Sequence, residues 1–97
     1  MKTIWKYELN SKHEAIPKGS KLLDVQMQNR SICAWFLVDP AKKMVERDIR
    51  IYMTGEDLPD DIGKHVATVQ LDEFVFHIFD YGENEKKLYK SIDMLYR

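Results

Sequence analysis

From Thr3 to Leu9 the chain alternates, with Ile4, Lys6 and Glu8 on one side of an extended backbone and Trp5, Tyr7 and Leu9 on the other. That is the period of a half-buried strand. Ser11 to Ser20 carries Pro17, Gly19 and several charges, and reads as a loop. Leu22 to Gln28 alternates again, Asp24, Gln26 and Gln28 against Leu23, Val25 and Met27. It is followed at once by Ile32 to Asp39, where Ile32-Cys33-Ala34-Trp35-Phe36-Leu37-Val38 is apolar on both faces. Asn29-Arg30-Ser31 joins the two as an expected three-residue hairpin in which Asn29 supplies a positive φ. Asp39-Pro40 ends the second strand.

Ala41 to Arg47 reads as a polar connection, and Asp48 to Thr54 as a strand with Ile49, Ile51 and Met53 opposite Arg50, Tyr52 and Thr54. Gly55 to Gly63 is a solvated acidic loop. Val66 to Leu71 and Phe74 to Tyr81 form a second hairpin around Asp72-Glu73, its second strand again apolar on both sides. From Glu83 the period becomes helical, Leu88, Ile92 and Leu95 sharing one face. The expectation is a mainly β protein of the α+β class: one domain over 1–97, a compact antiparallel sheet, curled or sandwiched, of about six strands within 3–81, and a C-terminal helix over 83–97. Two strands apolar on both faces need more cover than a small core offers. The pattern therefore favours a homo-oligomer, dimer or tetramer, over a compact monomer whose helix closes a barrel.

Composition narrows the partners. The 97 residues are 44% apolar and 32% charged, and 15 basic against 16 acidic side chains leave a net charge of -1. A surface that tracks DNA phosphates usually needs a marked basic excess, so DNA is not an expected partner. Cys33 is the only cysteine, which rules out an intramolecular disulfide and suits a reducing compartment. Within an apolar strand it reads as a small buried hydrophobe. Met1 to Lys6 has neither the apolar core of a signal peptide nor a membrane span, so the chain is expected to act where it is made, away from membranes. Asn29-Arg30-Ser31 matches a glycosylation sequon, and in such a compartment it is a turn.

No catalytic or metal constellation is visible. His13, His65 and His77 are far apart in sequence and read as surface or packed histidines. No P-loop, Rossmann or nucleophile-elbow glycine pattern occurs, and Glu56 to Asp61 lacks the ligand spacing of a calcium loop. An enzyme is disfavoured, and no cofactor is expected. A binding set remains: Gln26, Gln28, Arg50, Tyr52 and Thr54 on polar strand faces, with Trp5, Tyr7 and Trp35 as flat rings. Carboxamides and a threonine read base edges, an arginine clamps phosphate and rings stack on bases, so the set suits a nucleotide-sized ligand. The plainer alternative is that these are ordinary outward residues of amphipathic strands.

The string Thr3-Ile4-Trp5-Lys6-Tyr7-Glu8-Leu9, followed by Ile16-Pro17-Lys18-Gly19, resembles the opening of a family of small phage-encoded proteins. Val25-Gln26-Met27-Gln28-Asn29, Trp35-Phe36-Leu37-Val38-Asp39-Pro40 and Arg50-Ile51-Tyr52-Met53-Thr54-Gly55 are similar to its V-Q-x-Q-x, W-x-L-V-D-P and R-I-x-G-T-G blocks. The likeness covers roughly residues 2 to 80, with Met53 standing where the family pattern has glycine. Small phage proteins of this kind are similar to anti-CBASS sponges, which sequester the cyclic nucleotide signals of bacterial antiphage defence. The resemblance implies a partner such as the cyclic dinucleotide cGAMP, bound uncleaved between identical subunits in the cytoplasm of the infected host. Arg50 is then expected at a phosphate, Trp5 or Trp35 against a base, and Gln26, Gln28 or Thr54 at a base edge or ribose. The competing expectations are an adaptor that inhibits a host protein and a phosphodiesterase that destroys the signal.

Overall fold

The computed structural model describes residues 1–10 and 13–84. They form seven strands: β1 (Thr3–Glu8), β2 (His13–Pro17), β3 (Lys21–Gln28), β4 (Ser31–Val38), β5 (Met44–Met53), β6 (Lys64–Leu71) and β7 (Phe74–Asn84). A three-stranded sheet of order β1-β4-β3 packs on a four-stranded sheet of order β2-β5-β7-β6, every pairing antiparallel. At one seam β3 lies against β6. The protein is mainly β, as expected, in the sandwiched rather than the curled of the two expected forms, with seven strands among the described residues where about six were expected.

The two strands that are apolar on both faces, β4 and β7, are both interior strands of their sheets. Their inner residues make the core. Ala34, Phe36 and Val38 of β4 meet Ile16 of β2, Val45 and Ile49 of β5 and Ile78 of β7, all 1% exposed or less. Each large aliphatic or aromatic side chain removed from water in this way contributes about 1.5–3 kcal/mol. The Tyr7 ring stands edge-on to Phe36 at 5.6 Å. The outer residues of these interior strands are shielded by their neighbours. Cys33 points outward yet is only 3% exposed, because Lys6 of β1 donates across it to Gln28 of β3 at 2.7 Å. Phe79 is wedged between Tyr52 and His65, at ring separations of 5.8 and 5.2 Å. Much of the cover that the pattern demanded thus comes from within the chain.

Four expectations change. The predicted loop Ser11 to Ser20 contains β2, whose Ile16 and Pro17 are fully buried. Pro17 is tolerated because β2 is an edge strand and ends there, so the missing N–H breaks no central ladder. The polar connection before Asp48 is already strand from Met44, and its charged side chains find partners on other strands: Glu46 contacts His13 at 3.0 Å and Arg47 pairs with Asp80 at 2.7 Å. The first hairpin turn has two residues, not three. Gln28 pairs with Ser31, while Asn29 and Arg30 both take positive φ (51° and 66°), as a type I′ turn requires. Finally, Glu83 and Asn84, expected to open a helix, end β7 opposite Arg47 and Glu46; the rest of that expected helix, 85–97, lies outside the described residues.

Where β3 approaches β6, the side chains of Arg47 and Asp80 are 11% and 12% exposed. The guanidinium binds the carboxylate through Nε at 3.0 Å and Nη2 at 2.7 Å, and Nη1 donates to the Ser20 carbonyl at 2.9 Å. Glu83 stands 3.7 Å away and also accepts the Gly19 amide at 2.7 Å. The hydrogen bond to Asp80 holds the Arg47 guanidinium above its ordinary pKa. Burial pushes the Asp80 carboxyl up, but hydrogen bonds from Arg47 and the Gly82 amide, with the charges of Arg47 and Lys64, outweigh it and leave the group below the usual carboxylate value. This pair ties β5 to β7 and to the turn before β3.

Candidate functional site

The eight residues singled out in the sequence fall into three groups. Trp35, Gln26 and Gln28 share the outer face of the three-stranded sheet. Strand register sets this: Trp35 lies between Lys6 of β1 and Asp24 of β3, and Gln26 is opposite Cys33. Gln28 accepts the Lys6 ammonium, and Gln26 donates to Asp24 at 2.6 Å. Ile4, 56% exposed, and the half-buried Leu37 continue the face beyond the indole. The face carries a central ring with the Asp24 carboxylate beside it, two carboxamides and an ammonium group.

Arg50, Tyr52 and Thr54 belong to the outer face of the other sheet. Arg50 grips Asp48 through Nε at 3.2 Å and Nη2 at 3.0 Å, and its guanidinium carbon sits 3.9 Å from the Tyr81 ring centroid. Hydrogen bonds to Asp48 and Tyr52 hold its pKa above the ordinary value. Tyr52 and Tyr81 join hydroxyls at 3.0 Å. Thr54 contacts His77 Nε2 at 2.7 Å, and Thr68 bridges His77 Nδ1 at 3.1 Å and His65 Nε2 at 2.9 Å. Tyr52, Thr54, His77 and Phe79, with Gly55, Glu56 and Leu58 as a rim, line an open cleft of about 280 Å³. Met53, where the resemblance has glycine, ends β5 without positive φ, so the backbone there needs no glycine.

Trp5 and Tyr7 face inward and pack on the core. Burial, then the charge of Glu14, raises the Tyr7 phenol pKa. Within the chain, then, the Trp35 face and the Arg50 face are separate surfaces, since the sandwich divides them. Sequence reasoning did not foresee the His65–Thr68–His77 chain, although the rings lie 6.5 Å apart; the alternation Val75, His77, Phe79 puts His77 on an outer face, but only the pairing of β6 with β7 brings His65 beside it. A third feature is a groove of about 360 Å³ at the β3–β6 seam, lined by Leu22, Val25, Lys64, His65 and the Arg47–Asp80 pair. Among the described residues, no three His, Cys, Asp or Glu side chains gather to hold a metal ion. No helix among them is long and apolar enough to cross a membrane.

These features define a small two-sheet antiparallel β protein with an indole-centred polar face on one side and an aromatic and histidine face on the other. The chain belongs to the family described as "Domain of unknown function (DUF7352)", which it matches over residues 1–88. No curated protein and no solved structure matches it.

Proposed function

We propose that the protein binds a nucleotide-class ligand, a cyclic (di)nucleotide of bacterial antiphage signalling, and sequesters it without cleaving it on the outer face of the three-stranded sheet. The observation that carries the reading is the position of Trp35: a half-buried indole on the central strand, between Lys6 of β1 and Asp24 of β3, with Gln26 and Gln28 further along β3 on the same face. A base stacks on an indole with about 1–3 kcal/mol, and neighbouring carboxamides meet its polar edge. Arg50 has no part in this site, because its guanidinium is committed to Asp48 and Tyr81 on the opposite face.

A flat sheet covers one side of a ligand, whereas a tight small-molecule site encloses most of its surface. A second copy of the chain supplies the other side, and a two-fold ligand fits a two-fold contact between identical faces. Exposed Ile4 and half-buried Leu37 give that contact its apolar part. The work of such a sponge lies in the cytoplasm of an infected bacterium. The second reading, an adaptor that inhibits a host protein, uses the same apolar residues with a protein in place of the nucleotide.

Calorimetry with a panel of cyclic dinucleotides tests the proposal. It expects sub-micromolar binding to at least one of them, weakened roughly tenfold to a hundredfold in Trp35→Ala. Quenching of Trp35 fluorescence should accompany binding, with the inward Trp5 as an unresponsive background. Flat titrations across the panel refute it.

A further inference from the structure

Lys2, Lys18, Lys21 and Lys42 line one cleft of about 360 Å³ at the end of the three-stranded sheet, with Leu37 and Asp39 in its wall. We infer that this cleft is an anion site for the phosphate groups of a small phosphorylated ligand. The four lysines come from four separate segments: the approach to β1, the β2–β3 turn, the start of β3 and the β4–β5 loop. Nothing in local structure requires them to meet, and gathering like charges opposes folding. In a chain of net charge -1, this is a concentrated positive surface. Asp39 is the one carboxylate among these lining residues, and its Oδ1 already accepts the Ala41 amide at 3.0 Å. Lys2, Lys21 and Lys42 have no ion pair among the described residues.

The chemistry favours phosphate. Lysine ammonium groups act as movable point charges that suit a tetrahedral dianion, and no arginine fork is present to select a planar carboxylate. The cleft also continues the Trp35 face. Lys21 pairs with Leu37, two residues along β4 from Trp35, which is roughly 7 Å of strand and a span that a nucleotide's sugar bridges. Assigning the bound phosphates to a nucleotide rests on the function proposed above; anion binding by the cleft does not.

The test is titration of the whole chain with inorganic pyrophosphate and, separately, with cyclic dinucleotides, followed by amide chemical shifts. The variants are Lys21→Met/Lys42→Met and, as a control outside the cleft, Lys64→Met. Pyrophosphate is expected to shift Lys21, Leu37 and Lys42 saturably, to lose at least about tenfold in affinity in the double variant and not in the control, and to bind more weakly as salt rises. No saturable shift in the wild type, or equal affinity in the double variant while its amide spectrum stays folded, overturns the inference. Pyrophosphate held in the cleft with no nucleotide bound supports this site and sinks the sponge reading. A nucleotide bound with undiminished affinity by the double variant sinks this site and leaves that reading standing.

Discussion

Replacing Asp80 with asparagine strips the Arg47 guanidinium of its bidentate partner while leaving it 11% exposed. Three hydrogen bonds hold that guanidinium, two of them to Asp80 and one to the Ser20 carbonyl. The remaining carboxylate, Glu83, is 3.7 Å away. Breaking a buried pair from one side costs about 3–5 kcal/mol, and the residual attraction of Glu83 puts Asp80→Asn near the lower figure. Arg47→Met, which leaves the carboxylate the Gly82 amide and the charge of Lys64, is expected toward the upper one. Against a total stability of about 5–15 kcal/mol for such a domain, either loss is severe. The double variant Arg47→Met/Asp80→Asn removes both charges together and should recover at least about 2 kcal/mol relative to the summed single losses. Urea unfolding of the four proteins measures this directly.

The pair also has a pH signature. Because the Asp80 pKa is depressed in the folded state, its contribution is fully present above the unfolded value of about 3.9 and is lost as pH falls through the folded value. Wild-type stability should therefore drop below about pH 4 more steeply than that of Arg47→Met. Additive single costs, or an Asp80→Asn loss under about 1 kcal/mol, would refute a structural role. They would move the pair into the chemistry of the β3–β6 groove that it lines.

Two further outcomes follow from the geometry. A Cβ at Gly63 would meet the Asp80 carbonyl oxygen at 2.7 Å and Tyr81 Cδ1 at 2.8 Å; since a backbone carbonyl cannot swing aside, Gly63→Ala should cost about 1–3 kcal/mol in thermal or urea unfolding, and no loss would mean that β6 and β7 do not approach so closely. Arg50→Ala should leave nucleotide affinity within about twofold of wild type, contrary to the expectation drawn from sequence, and a tenfold loss in calorimetry would return the phosphate to the four-stranded face.

What was legible in the sequence follows from how locally each feature is set. The alternation of β1 put Trp5, Tyr7 and Leu9 on one side, and that side is the inner one. β2 escaped because its charges and Pro17 are loop-like, and only packing against β5 makes Ile16 core. The start of β5 escaped because Glu46 and Arg47 find their partners on β2 and β7, which no short window contains. The Arg50 partner was within reach, since Asp48 is two residues away on the same strand face. The division of Trp35 from Arg50 was not, because strand order across two sheets decides it. The lysine cleft left no sequence signal at all, its members spread from residue 2 to residue 42.

Sequestration without cleavage is most directly tested by native mass spectrometry of the protein purified from bacteria that produce a cyclic dinucleotide. The account predicts an oligomer of the 11.5 kDa chain carrying the nucleotide, which heat releases with its mass unchanged. A monomer with nothing bound, or release of a linear product, contradicts it.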